Sequence, residues 1–210
     1  MSYADCEIRQ YLEDAAADKP APGGGSVSAL VGALAASMGE MAANFTTGKD
    51  RYADVEDQVR NNLRRLTLSR GKLLTLMDSD VEAYTAVNEA YDMPQATDEE
   101  RDRRREAIQE ALKEALMVPF NVMQQCANVA EAAAELVDIA NRNLLTDVGV
   151  SGIMAEAACS AARLNVDINI KYLKDQSLID EIVPRANELL DTTRACRKKI
   201  DAEMQDHLWA

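Results

Sequence analysis

The stretch from Leu74 to Tyr91, "LTLMDSDVEAYTAVNEAY", holds three acids within a few positions: Asp78, Asp80 and Glu82. Winding it as a helix separates their environments. Asp78 shares a face with Glu82, Thr85 and Glu89, a stripe suited to solvent. Asp80 falls in register with Leu73, Met77, Tyr84, Val87 and Tyr91 at steps of three and four, so it interrupts an apolar stripe. A carboxylate in that place is costly unless paired or protonated. Its pKa is driven upward, which suits a general acid or base near neutral pH. The purely structural reading of Asp80 is an acid bonded to a helix cap or to a core arginine.

A second stretch, "PAPGGGS", puts Gly23, Gly24 and Gly25 just before Ser26 and a long run of small residues. Backbone N–H groups exposed before a helix can hold an anion or a polar ligand. The loop lacks the Lys-Ser/Thr of a phosphate-binding loop and follows a helix, so neither P-loop nor dinucleotide-binding chemistry fits. It is either a binding loop or only a turn. Gly32, Ala36, Gly39 and Ala43 behind it form a small-residue stripe, which lets another helix come close. A third stretch, Asn143 to Ile170, places Asp147 near a helix start and spaces Asn165 and Asn169 four apart among small and apolar residues. Buried amides must find partners, so this pair either ties helices together or hydrogen-bonds a polar heterocycle. Lys49 and Arg51 offer positive charge to a bound carboxylate, although exposed lysines more often have no such role.

The elements that must position these groups are helical. Of 210 residues, 47% are hydrophobic but only 4% aromatic, and alanine and leucine dominate, the composition of a helical core. A helix is expected over 3–17, another from an N-cap at Ser26 to about Phe45, and a long one from Arg51 to about Tyr91. Thr97 and Glu100 form a capping box for the next, which Pro119 should kink or interrupt before it resumes to about Asn143. Thr146 or Asp147 should cap a helix through Asn169, and residues 176–206 make the last. The expected fold is all-α, one domain over residues 1–210, a bundle of about six long helices. Long alanine-rich faces of this kind often complete their burial across a subunit interface, so a homodimer is expected.

A formal net charge of −13 argues against nucleic acid or an anionic membrane as the main partner. Cys6, Cys126, Cys159 and Cys196 are widely spaced and His207 is the single histidine, which leaves little material for a metal site or a disulfide framework. Val27–Ala43 is near the short limit for a membrane span and holds Ser28, Ser37 and Glu40. No signal peptide is visible, and a reducing, cytoplasmic setting is the expectation.

Taken together, "PAPGGGSVSALVGALAASMGEMAANFTTGK", "LMDSDVEAY" and "TDVGVSGIMAEAACSAARLNVDINI" resemble the formiminotetrahydrofolate cyclodeaminase / methenyltetrahydrofolate cyclohydrolase family. The likeness covers nearly the whole chain in the same order. In the bifunctional formiminotransferase-cyclodeaminase this is the C-terminal domain, and the formiminotransferase half has no counterpart in this sequence. The resemblance implies an all-helical, dimer-forming folate enzyme whose catalytic acid is the second Asp of the DxD segment, Asp80. It implies no cofactor beyond the tetrahydrofolate substrate, and it does not separate cyclodeamination from cyclohydrolysis. Within it, Gly23, Gly24, Gly25 and Ser26 are expected to hold the pterin or glutamate part of the folate. Asp147 and Asn165 are further pocket candidates, and Lys49 would meet the glutamate carboxylates. The rival from another class is a non-catalytic helical binding or scaffold module, with Asp80 a structural acid and the glycine loop a turn.

Overall fold

A computed structural model describes residues 2–209 and contains no strand among them. Six α-helices follow in order: α1 (Ile8–Ala16), α2 (Gly24–Asn44), α3 (Glu56–Asp92), α4 (Asp98–Ile139), α5 (Leu145–Tyr172) and α6 (Gln176–Trp209). Short 3-10 turns precede α1, α3 and α5 at Tyr3–Asp5, Asp50–Val55 and Arg142–Leu144. Helices α2 to α5 form a four-helix bundle in which α2 packs against α3 and α5, with α4 across from it. Helix α6 lies on α4 and α5. Leu66, Leu73, Met77, Leu116, Phe120 and Leu136 are among the fully buried side chains at the centre.

The small-residue stripe of α2 is what lets the bundle close. A Cβ at Gly32 would meet Cys126 Sγ at 3.0 Å and Leu73 at 3.1 Å, and one at Gly39 would meet Leu66 at 3.0 Å. Ser151 on α5 donates to the Ala35 carbonyl at 2.8 Å in the interior, fixing α5 against α2. Glu40, the single charge of α2, pairs with Arg70 of α3 at 2.6 Å. By length and composition α2 is apolar enough to cross a membrane, as is Arg142–Tyr172, yet 56% of the α2 window is buried inside the bundle.

Several elements differ from the sequence-based expectation, among them α3, which begins at Glu56 and not at Arg51 because Asp50–Val55 wind as a 3-10 turn. The first helix is split, because the chain is extended at Cys6 and Glu7 between the Tyr3–Asp5 turn and α1. Helix α2 begins at Gly24 with Gly23 as N-cap, not at Ser26. Helix α5 begins at Leu145 with Leu144 in the cap position, two residues before Thr146 and three before Asp147. Helix α4 runs unbroken through Pro119, while the capping box at Thr97 and Glu100 forms as expected.

Candidate active site

The start of α2 ends short of the bundle's end, so α3, α4 and α5 continue past it and leave a cavity of about 550 Å³. That is within the ordinary range for a small-molecule site. Gly23, Gly24 and Gly25 close one end, Leu112 and Ala115 of α4 form the floor, and the walls come from α3 and α5. The α3 wall is Asp80, Tyr84, Val87 and Tyr91, the same stripe that the helical register assigns to an apolar face. Tyr84 and Tyr91 remain 46% and 43% exposed, so this stripe lines a pocket rather than the core. From α5 come Asn165, Ile168, Asn169 and Tyr172.

Asp80 sits where α3 passes the first turn of α2. Its Oδ2 accepts the Ser26 N–H at 2.9 Å, so a side chain from another helix serves one of the orphan donors of the α2 N-terminus. Its other oxygen lies against Gly25, where a Cβ would overlap the carboxylate and still be only 2.9 Å from Oδ2. Among the described residues that oxygen has no hydrogen-bond donor. Burial pushes the Asp80 carboxyl above the usual carboxylate range, and the Ser26 N–H opposes this in part. A raised folded-state value means that folding favours the protonated acid. The stability this group contributes is present at low pH and is lost as pH rises through its folded pKa.

The neighbours of Asp80 are tied in turn. Ser26 is fully buried, and its hydroxyl shares a 3.1 Å hydrogen bond with the Tyr11 hydroxyl, so its side chain does not line the cavity. Tyr11 packs edge-on against Tyr3 at 5.4 Å, and the Tyr3 N–H donates to Asp78 Oδ1 at 2.7 Å. Asp78 is therefore a half-buried anchor for the N-terminal segment, not part of a solvated stripe. Tyr11, the one buried residue of α1, had only its place on an amphipathic helix to mark it.

The asparagines present acceptors. Asn165 Nδ2 donates to the Ala161 carbonyl at 3.0 Å, and Asn169 Nδ2 donates to the carbonyls of Asn165 at 2.9 Å and Ala115 at 3.0 Å. Donors so engaged leave both Oδ1 atoms for a ligand, and the Asn165 amide lies 3.4 Å from where a Gly24 Cβ would stand. Asn169 thus joins the site beside the expected Asn165. The cavity lining contains no lysine or arginine among the described residues. At its rim, the Arg104 guanidinium donates to the Tyr91 carbonyl at 2.8 Å, and Lys171 lies over the Tyr172 ring.

Of the sequence candidates, the fold brings Gly23, Gly24, Gly25, Asp80 and Asn165 to one cavity, with Ser26 directly behind. Lys49 and Asp147 stand elsewhere in the same chain. Helix α2 spans about 30 Å at 1.5 Å per residue, and Lys49 lies beyond its other end, over the Phe45 ring. Asp147 is at the same far end, because α5 runs antiparallel to α2. The Asn141 N–H that precedes α5 donates to Thr46 just after α2.

A family model described as formiminotransferase-cyclodeaminase matches residues 7–188. The chain belongs to that family. It is 36% identical over 193 residues to a methenyltetrahydrofolate cyclohydrolase of Methylorubrum extorquens, covering 92% of this chain and 93% of that one. It is 32% identical to the formimidoyltransferase-cyclodeaminase of Mus musculus over 92% of this chain but 36% of the mouse protein. The crystal structure of formiminotetrahydrofolate cyclodeaminase from Thermotoga maritima superposes with a TM-score of 0.88 at 29% identity, over 98% of both chains. The all-helical fold of this chain is therefore that of the cyclodeaminase over 98% of its length.

Proposed function

We propose that this protein is a folate enzyme acting at the N5–C–N10 bridge of tetrahydrofolate. It either closes 5-formimino-tetrahydrofolate to the 5,10-methenyl form with release of ammonia or opens the methenyl bridge with water to 10-formyl-tetrahydrofolate. The observation that carries this reading is one carboxyl oxygen of Asp80 left free at the end of an aromatic-walled cavity. In cyclodeamination N10 attacks the formimino carbon, and a proton delivered to the amino nitrogen lets ammonia leave. In cyclohydrolysis water attacks the same carbon and gives up a proton; the C–N5 bond then breaks as N5 gains one. A carboxyl with a raised pKa is suited to both transfers. In its ionised form it also stabilises the cationic bridge.

Tyr84, Tyr91 and Tyr172 suit a stacked pterin, whose ring N–H and amino donors match the Oδ1 acceptors of Asn165 and Asn169. Gly23 to Gly25 bring backbone close to the ligand. The chemistry calls for no cofactor beyond the folate, and we take the protein to be a cytoplasmic homodimer with no nucleic-acid partner. The deciding assay offers 5-formimino- and 5,10-methenyl-tetrahydrofolate separately and compares ammonia release with loss of the methenyl absorbance. Turnover of at least one is expected, and Asp80→Asn should lower it by about 10²–10⁴-fold, the range for removing a general acid–base group. A variant with the unmodified rate sinks the role of Asp80, and no heat on folate titration would return the protein to the scaffold class.

A further inference from the structure

Helix α2 is apolar on the side that the bundle does not cover. Val27, Leu34 and Met41 are 39%, 46% and 39% exposed at heptad spacing, half-buried Leu30 falls between them, and Phe45 ends the row at 49%. Beside it, α5 exposes Val150, Ile153, Leu164 and Ile168, with the exposed small residues Ala157 and Ala161 between the two pairs. An apolar seam repeating at three and four is what a second helix packs against.

We propose that this face is a two-fold interface between two copies of the chain, with α2 antiparallel to its copy and centred on Leu34, and that Lys49 of each copy crosses to the folate cavity of the other. The second part rests on the folate reading above. Three observations select a second copy as the occupant. The face is self-complementary: with Leu34 on the axis, Val27 stands opposite Met41 and Leu30 opposite Met38, each apolar residue against another. Its size is right, because two adjacent helices about 30 Å long and 8–10 Å apart present on the order of 600 Å², near the ~800 Å² per partner of a standard interface. An anionic membrane is a poor alternative for a chain of net charge −13.

Charge favours the antiparallel direction, since Lys19, which the register sets opposite the partner's Lys49, is already paired with Asp14. The same register places the partner's Phe45 opposite Gly23, which closes the end of the cavity. Lys49 rides on that Phe45 ring, 5.6 Å from its centroid, so it arrives at a cavity whose lining has an acid but, among the described residues, no basic side chain. Arg104 on the rim is already committed to the Tyr91 carbonyl. A folate whose pterin lies between the tyrosines and whose tail leaves past Gly23 meets the partner's Lys49 with its glutamate carboxylates. A parallel arrangement would instead set the two Lys49 side chains together, a helix length from either cavity.

The geometry is tested without substrate. Light scattering at micromolar concentration should give twice the 23.0 kDa chain mass, and Leu34→Glu should give a monomer with unchanged helical circular dichroism. In a background with Cys6 and Cys196 replaced by serine, a short bismaleimide should link Leu34→Cys to itself and Val27→Cys to Met41→Cys in a mixture. It should also link Lys49→Cys to Gly23→Cys, while Val27→Cys alone stays unlinked. A monomeric parent, or self-linking of Val27→Cys, overturns the interface whatever the enzyme does. For the crossing charge, Asp80→Asn and Lys49→Glu are co-expressed. Half of randomly formed two-fold dimers then carry one intact site, so activity should return to about a quarter of the unmodified level. Activity no higher than that of Lys49→Glu alone overturns the role of Lys49. An unmodified protein inactive on both folates overturns the functional reading and with it the crossing, while the crosslinks still decide the interface.

Discussion

Asp80 and Gly25 work as a pair, and neither makes sense alone. The Asp80 carboxylate reaches the first turn of α2 because position 25 has no Cβ; one built there would overlap the carboxyl group. Alanine in place of glycine inside a helix ordinarily stabilises by about 0.5–1 kcal/mol. At Gly25 that gain is set against moving a carboxylate off the Ser26 N–H, so the two effects oppose. We predict that Gly25→Ala changes the melting temperature little but lowers kcat/KM by at least ~100-fold, equivalent to about 2.7 kcal/mol at the transition state. Gly24→Ala is the comparison: its Cβ meets Asn165 at an ordinary 3.4 Å and leaves Asp80 in place, so its loss should be clearly smaller than that of Gly25→Ala. Equal losses in the two variants would mean that the glycines matter as a flexible loop, not as clearance for Asp80. The sequence marked Asp80 through its register on α3, whereas the need for glycine at 25 and not at 24 depends on how two distant helices meet. No local pattern carries that.

At the scale of elements, the same distant contact explains where sequence-based boundaries fail. Ser26 is a good N-cap by type, yet its hydroxyl is engaged by Tyr11 and its N–H by Asp80, so the helix extends back to Gly24. The Thr97–Glu100 capping box was legible because both partners are local. Pro119 is the informative case. A proline inside a helix cannot donate to the carbonyl four residues earlier, which here is Ala115. Asn169 of α5 donates to that carbonyl, so α4 continues unbroken and the proline itself creates the acceptor that orients a pocket asparagine. Pro119→Ala supplies an N–H that competes for the Ala115 oxygen. We predict unchanged or higher thermal stability with a KM for the folate raised about 3–10-fold at nearly constant kcat, the pattern of lost uniform binding. Unaltered KM would show that the orientation of Asn169 does not matter to the substrate.

For the whole molecule, composition and periodicity were enough for an all-α bundle, and the stripe of Gly32, Ala36, Gly39 and Ala43 was legible as a close-packing surface. What could not be read was that α2 is apolar on both sides, because a run of small residues looks the same whichever way it faces. Lys49 and Asp147 show the same limit: their types suit a binding site, but in one chain they stand a full helix length from Asp80. An antiparallel two-fold pairing along α2 brings the Lys49 end back to the Gly23 end, which reconciles residue type with position. If that face is covered by a second copy in the native state, unfolding is coupled to dissociation and stability depends on protein concentration. At about 0.7 kcal/mol of unfolding enthalpy per residue, summed over two chains, each tenfold increase in concentration should raise the melting temperature by about 2 °C. Scanning calorimetry across two decades of concentration measures this directly. Leu34→Glu should melt at one lower temperature at every concentration, and an unmodified chain that does the same would show that α2 keeps its apolar side open to water.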